Sequence, residues 1–332
     1  MRTYRAPWWL PGGNAQTIWA AKVSRRHLEG AKPDFVRERW ATPDGDFVDV
    51  DHLQRSGSAV PKRHLVLFHG LEGNSTSQYA QAFASLALTR GWAFSVPHFR
   101  GCSGELNRAP RAYHSGDHEE IAWILERLRA GSAGPLLVVG ISLGGNALMR
   151  WAQESGESAA ATAAAVASVC SPIDLAAAGR AIDRGFNWLV YSRMFLATMK
   201  PKALAKLDQH PGLFDRERLL AARTLYEFDN VFTAPLHGFR DTPDYWARAS
   251  ALPHLHRIRI PALVLNAAND PFVPAASLPP VEGGSVAQLT PNVTLWRPEQ
   301  GGHVGFPQGG LPPTRVLAMP AAVADWLARH AG

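Results

Sequence analysis

Leu136-Leu137-Val138-Val139-Gly140-Ile141-Ser142-Leu143-Gly144-Gly145-Asn146-Ala147-Leu148-Met149-Arg150-Trp151 joins a short apolar run to a stretch of helical character through a glycine-flanked serine. A continuous apolar run of this length suits a strand buried on both faces, as in a parallel sheet. The pattern Gly140-x-Ser142-x-Gly144 is weak by itself in a chain with 29 glycines. Its place between strand and helix gives it meaning: that is the setting of a nucleophile elbow, where serine rides a sharp turn at the carboxyl edge of a sheet. Residues without Cβ at 140 and 144 relieve the crowding of strand against helix. The Leu143 N–H, at the free end of the helix, is placed to meet an oxygen that gains negative charge.

Moving outward, apolar runs recur at 64–68, 93–96, 165–170, 262–266 and 293–296, with 136–140 at the centre. Helical segments alternate with them at about 76–90, 116–130, 143–155 and 315–330. That rhythm predicts a doubly wound, mostly parallel α/β sheet with right-handed crossovers, one domain over residues 1–332. Ahead of it, residues 1–34 read as an irregular arm lying on the body through Trp8, Trp9, Ile18 and Trp19. Residues 35–52 read as a hairpin turning at Asp44-Gly45. Residues 172–250 break the rhythm with helical stretches and no strand, and predict a helical cap insertion. Within it, residues 187–199 carry Trp188, Leu189, Tyr191, Phe195 and Met199, which suit both packing on the body and facing an acyl chain.

A serine hydroxyl needs a base to take its proton. Of 13 histidines, His303 lies in the glycine-flanked loop Gln300-Gly301-Gly302-His303-Val304-Gly305-Phe306, between the last strand and the last helix. His69 begins another loop, and His114, His118 and His237 fall in helical or cap contexts. Asp270, at the end of the 262–266 run, completes the order Ser…Asp…His; Asp174 competes because it also follows a strand. Gly70 in Phe68-His69-Gly70-Leu71-Glu72-Gly73-Asn74 permits a tight turn, from which the Leu71 N–H becomes the second oxyanion donor beside Leu143. That loop matches neither a P-loop nor a dinucleotide fingerprint. The chemistry calls for no metal and no organic cofactor.

The formal net charge of +6 comes from scattered Lys and Arg, with no zinc-finger spacing, basic helix or RNA-binding aromatic motif. Nucleic acid is therefore not the expected partner, while weak attraction to anionic lipid stays open. Cys102 and Cys170 make neither a disulfide framework nor a zinc site, and the reducing cytoplasm fits best. Pro7 and Pro11 interrupt the N-terminal stretch, which reads as neither signal peptide nor membrane span; the apolar 159–167 stretch is too short to cross a bilayer.

Several longer blocks add to this: Gln16-Thr17-Ile18, HGLEGNS from His69, FRGCSGELN from Phe99, YHSGDHEE from Tyr113, GISLGGN from Gly140, SPIDL from Ser171, and FDNVFTAPLHGF from Phe228. With them the chain resembles the YheT-like hydrolases of the α/β-hydrolase superfamily, related to the eukaryotic abhydrolase-domain proteins 1, 2 and 3. The resemblance covers nearly the whole chain and implies hydrolysis of carboxylic or lipid esters by Ser142, Asp270 and His303. Asp117-His118-Glu119-Glu120 departs modestly from the usual acidic stretch. The eukaryotic relatives look membrane-anchored, and their N-terminal span has no counterpart here. Rival readings are acyl transfer, thioester or amide hydrolysis on the same residues, and a ligand-binding protein that has lost catalysis.

Overall fold

The computed structural model describes residues 4–27, 32–55, 60–281 and 285–331; residues 1–3 and 28–31 of the predicted arm lie outside them. Nine strands form one sheet among the described residues: β1 (Phe35–Ala41), β2 (Phe47–Leu53), β3 (His64–Phe68), β4 (Ala93–Pro97), β5 (Leu136–Ile141), β6 (Ala163–Val169), β7 (Ala262–Leu265), β8 (Val286–Gln288) and β9 (Val293–Trp296). Their order is β1-β2-β4-β3-β5-β6-β7-β9-β8. From β4 to β9 the neighbours run parallel, while β1, β2 and β8 pair antiparallel at the margins.

The apolar runs become strands because alternate side chains enter two cores. Val66, Phe68, Leu136 and Val138 join the core under α3 (His118–Ala130) and α4 (Leu143–Ser155). Leu65, Leu67, Leu137 and Val139 join the core under α2 (Gln78–Arg90) and the closing helix Ala318–Arg329. Each fully buried Leu or Val stabilises the fold by roughly 1.5–3 kcal/mol. The parallel, doubly wound architecture is the one the alternation predicts, and it brings the carboxyl ends of β3, β5, β6 and β7 to one edge.

Two elements depart from the sequence reading. The arm is not wholly irregular, since Gly12–Lys22 forms a helix, α1. Of the four residues expected to dock it, Trp9 and Trp19 do reach the body, donating to the Gly310 carbonyl and to Thr314 Oγ1 at 3.0 Å each, whereas Trp8 and Ile18 stay 86% and 39% exposed. The buried residues of α1 are Gln16, Thr17 and Ala20, so apart from Ala20, which packs with Ala82, Val316 and Leu317, its seam with the body is polar, and no apolar stripe announces such a helix. The second is β8, three half-exposed residues long, which offers no apolar run to detect.

Between β6 and β7 the chain is helical, chiefly Leu175–Ile182, Arg193–Gln209 and Thr242–Ala249, with no strand. Arg193–Gln209 continues from Gly185–Asn187 through a π-helical turn at Trp188–Ser192. No helix among the described residues is long and apolar enough to cross a membrane.

Candidate functional site

Ser142 leaves β5 with φ 51° and ψ −119°, a left-handed conformation that strains a residue bearing a Cβ. Close packing holds it there. A Cβ on Gly144 would stand 2.4 Å from the His69 carbonyl oxygen, and one on Gly140 2.5 Å from that of Gly144. The Ser142 N–H donates to the Val169 carbonyl at 2.8 Å, tying the turn to the end of β6.

His303 Nε2 stands 3.0 Å from Ser142 Oγ. Its Nδ1 faces Asp270, 2.9 Å from Oδ2 and 3.1 Å from Oδ1. With an acidic partner at Nδ1, the proton belongs there and Nε2 is free to accept from Ser142. The Asp270 side chain is fully buried, and its Oδ1 also accepts the N–H groups of Phe272 (2.8 Å) and Val273 (3.2 Å). The structure thus brings together the three residues singled out from the sequence. Asp174 lies elsewhere and caps a helix, accepting the Ala177 N–H at 2.9 Å. His69 is sealed inside, where its Nε2 accepts the Phe99 N–H at 3.0 Å and burial pushes its pKa down to about 3.

Leu71 and Leu143 line the same cavity as Ser142. Leu143 opens α4, so its N–H has no acceptor within the helix. The loop carrying Leu71 is pinned by Gly70, whose N–H donates to Tyr79 Oη at 3.0 Å. A Cβ at Gly70 would lie 3.2 Å from Ser142 Cβ, which measures how near the loop runs to the serine.

The cavity encloses about 1110 Å³, counting its open mouth. Its apolar walls include Leu175, Ile182, Phe195, Met199, Phe228 and Phe232, all from the helices between β6 and β7. The cations among its lining are committed to partners. Lys202 pairs with Glu72 at 2.8 Å, and Arg100 with Asp44, Asp46 and Glu120. Lys206 donates to the carbonyls of Asn107 and Ala109. Such a space suits a neutral, apolar group better than an anion.

The sequence reading missed several residues that shape this site. Glu72, the residue after Leu71, is held by Lys202 and by Tyr113 Oη at 3.0 Å, which fixes the loop beside Leu71. Cys170 Sγ accepts the Val304 N–H at 3.2 Å, and lies with Asp270 and His303 in a group whose ligand atoms are within 4.8 Å of one another. Burial, and behind it the nearby charge of Asp270, raises the Cys170 thiol well above its ordinary range. The blocks around Glu72 and Tyr113 were visible as motifs, but nothing in them spelled out these contacts.

Comparison with known proteins agrees with this architecture. A family model described as the alpha/beta hydrolase fold matches residues 63–310. The chain is 39% identical over 329 residues to the esterase-named YheT of Escherichia coli (strain K12), covering 96% of this chain and 94% of that protein. It is 30% identical to the phospholipase ABHD3 of Mus musculus, covering 92% of this chain and 74% of the relative. Among solved structures, the Pyrococcus furiosus esterase Pf2001 superposes with a TM-score of 0.55 at 14% identity, over 94% of this chain and 98% of that one, a likeness of fold.

Proposed function

The chain belongs to the alpha/beta hydrolase fold family, and from that premise we propose that it is a serine hydrolase cleaving neutral carboxylic esters through an acyl-enzyme on Ser142. The observation that carries this reading is the run of contacts Ser142 Oγ–His303 Nε2 and His303 Nδ1–Asp270 at the wall of an apolar cavity. His303 takes the serine proton as Oγ attacks the ester carbonyl, and Asp270 steadies the imidazolium. The Leu71 and Leu143 N–H groups receive the oxyanion. Imidazolium then protonates the leaving alcohol, and a water deprotonated by His303 releases the acid.

In this reading residues 172–250 act as the cap, with Phe195 and Met199 against the acyl chain. The names of the bacterial esterase and the mammalian phospholipase support ester or lipid-ester substrates. The outer side of the same helical segment exposes Phe186, Leu189 and Met194 near Arg184 and Arg193, which supports passing contact with an anionic lipid surface. The two free, buried cysteines favour a reducing compartment such as the cytoplasm.

The test is labelling by a fluorophosphonate together with hydrolysis of p-nitrophenyl esters of graded chain length. Wild type should be labelled and active, and Ser142→Ala neither. An unlabelled, inactive wild type defeats the reading, and activity that survives Ser142→Ala removes Ser142 as the nucleophile.

A further inference from the structure

We infer that Gln16 and Thr17, on α1, are positioning residues that hold His303 and Asp270 in register with each other. The inference rests on the serine-hydrolase reading, but its contacts lie outside the Ser142–His303–Asp270 chain. Gln16 is fully buried and Thr17 is 9% exposed. Thr17 Oγ1 accepts the backbone N–H of His303 at 2.8 Å and donates its own proton to the Gly13 carbonyl at 2.7 Å. Gln16 Oε1 accepts two donors, the Gly301 N–H at 2.9 Å and Asn269 Nδ2 at 3.0 Å. Asn269 Oδ1 in turn accepts the Gly302 N–H at 3.0 Å. One helix turn therefore grips the residues before His303, His303 itself, and the residue before Asp270.

The close approach of the backbones makes the grip stiff. A Cβ on Gly13 would sit 1.8 Å from the Asn269 carbonyl oxygen, and one on Gly302 2.6 Å from that of Gly13. At Gly13 and Gly302 the two backbones meet without room for a side chain between them. Val304 and Phe306, which follow His303, hold positive φ of 56° and 43°, so the His303 loop is strained and needs outside contacts to keep its shape. A fully buried glutamine that uses both ends of its amide, its Nε2 donating to the Leu10 carbonyl at 3.0 Å, specifies geometry more than it adds stability.

Neither side chain touches the reacting atoms, so their loss should lower turnover while leaving substrate binding nearly intact. The experiment compares Thr17→Val, Thr17→Ser, Gln16→Met and the exposed control Ile18→Ala. Each is read by kcat and KM on an ester, by thermal unfolding, and by the low-field proton resonance of the His303 Nδ1–H. Displacing a catalytic base by a fraction of an ångström costs about tenfold or more in rate. Thr17→Val and Gln16→Met should lose about that much kcat with KM within about twofold, and should shift or broaden the low-field proton. Thr17→Ser should recover most of the rate, and Ile18→Ala should match wild type.

Wild-type kcat with an unmoved proton in Thr17→Val and Gln16→Met would overturn the inference. So would a rate loss no larger than the loss of folded protein. Failure of both variants to fold while Ile18→Ala folds would also overturn it, leaving a purely structural seam. The proton signal depends on the His303–Asp270 pair and not on turnover. A wild type with that signal but no labelling and no hydrolysis would therefore sink the hydrolase reading alone, and the variants' effect on the signal would still decide the positioning role.

Discussion

At the residue scale the hydrogen-bond directions around His303 leave little freedom. Asp270 accepts from His303 Nδ1 and, through Oδ1, from the Phe272 and Val273 N–H groups. Asp270→Asn preserves size and can still accept the two backbone donors, but it then turns its NH2 toward Nδ1. The imidazole answers by moving its proton to Nε2, where it faces Ser142 Oγ as a donor and can no longer take the serine proton. The expected result is a kcat lower by on the order of 10³–10⁴ with little change in KM. Steady-state kinetics beside a thermal melt checks it, and a loss of less than about tenfold in folded protein would reject Asp270 as the orienting acid.

At the element scale the helices inserted between β6 and β7 supply most of the apolar wall opposite Ser142. Phe195 and Met199 stand one helical turn apart on the Arg193–Gln209 helix and face the cavity. Met199→Trp should fill part of that space and shift preference toward shorter acyl chains, since each methylene excluded from an apolar site forfeits about 0.8 kcal/mol. The profile of kcat/KM against chain length reads it, and an unchanged profile would place the acyl chain elsewhere. The same elements show what the sequence could reveal. β3 to β7 and β9 were legible because these largely buried strands are written as short, mostly apolar runs, and the first hairpin because Asp44-Gly45 marks its turn. β8 and α1 were not, because neither presents an apolar face. That Ser142, Asp270 and His303 come together was legible from order and loop position. The hydrogen bond from Gly301 to Gln16 joins residues 285 apart, and no local pattern records a contact of that kind.

At the scale of the whole molecule, one buried charge cluster ties together the hairpin, the loop after β4, α3 and the inserted helices. Asp46, in the β1–β2 turn, accepts from Arg100 Nη1 (2.9 Å), Asn107 Nδ2 (2.7 Å) and the N–H groups of Arg108 (2.7 Å) and Ala109 (3.1 Å). Arg100 also grips Glu120 on α3, and Lys206 of the Arg193–Gln209 helix closes on the carbonyls of Asn107 and Ala109. Burial alone would raise the Asp46 carboxyl, but the bonds from Asn107, Arg108 and Ala109 prevail and bring it from 3.8 to about 2. On acidification the unfolded chain takes up this proton first. The ionised Asp46 therefore stabilises the fold above about pH 4, and that share is lost as the pH falls through about 2. Glu120 opposes this trend at higher pH, because burial and the charge of Asp117 push its carboxyl up, so its ionisation weakens the fold as the pH rises toward neutrality. The wild-type curve alone mixes the two effects, and the difference between wild type and Asp46→Asn separates them. Urea denaturation should show the variant clearly less stable at pH 7, with a gap that stays level down to about pH 4 and narrows toward pH 2. A gap that does not change with pH would mean that Asp46 acts by shape and hydrogen bonding alone, with no share for its charge.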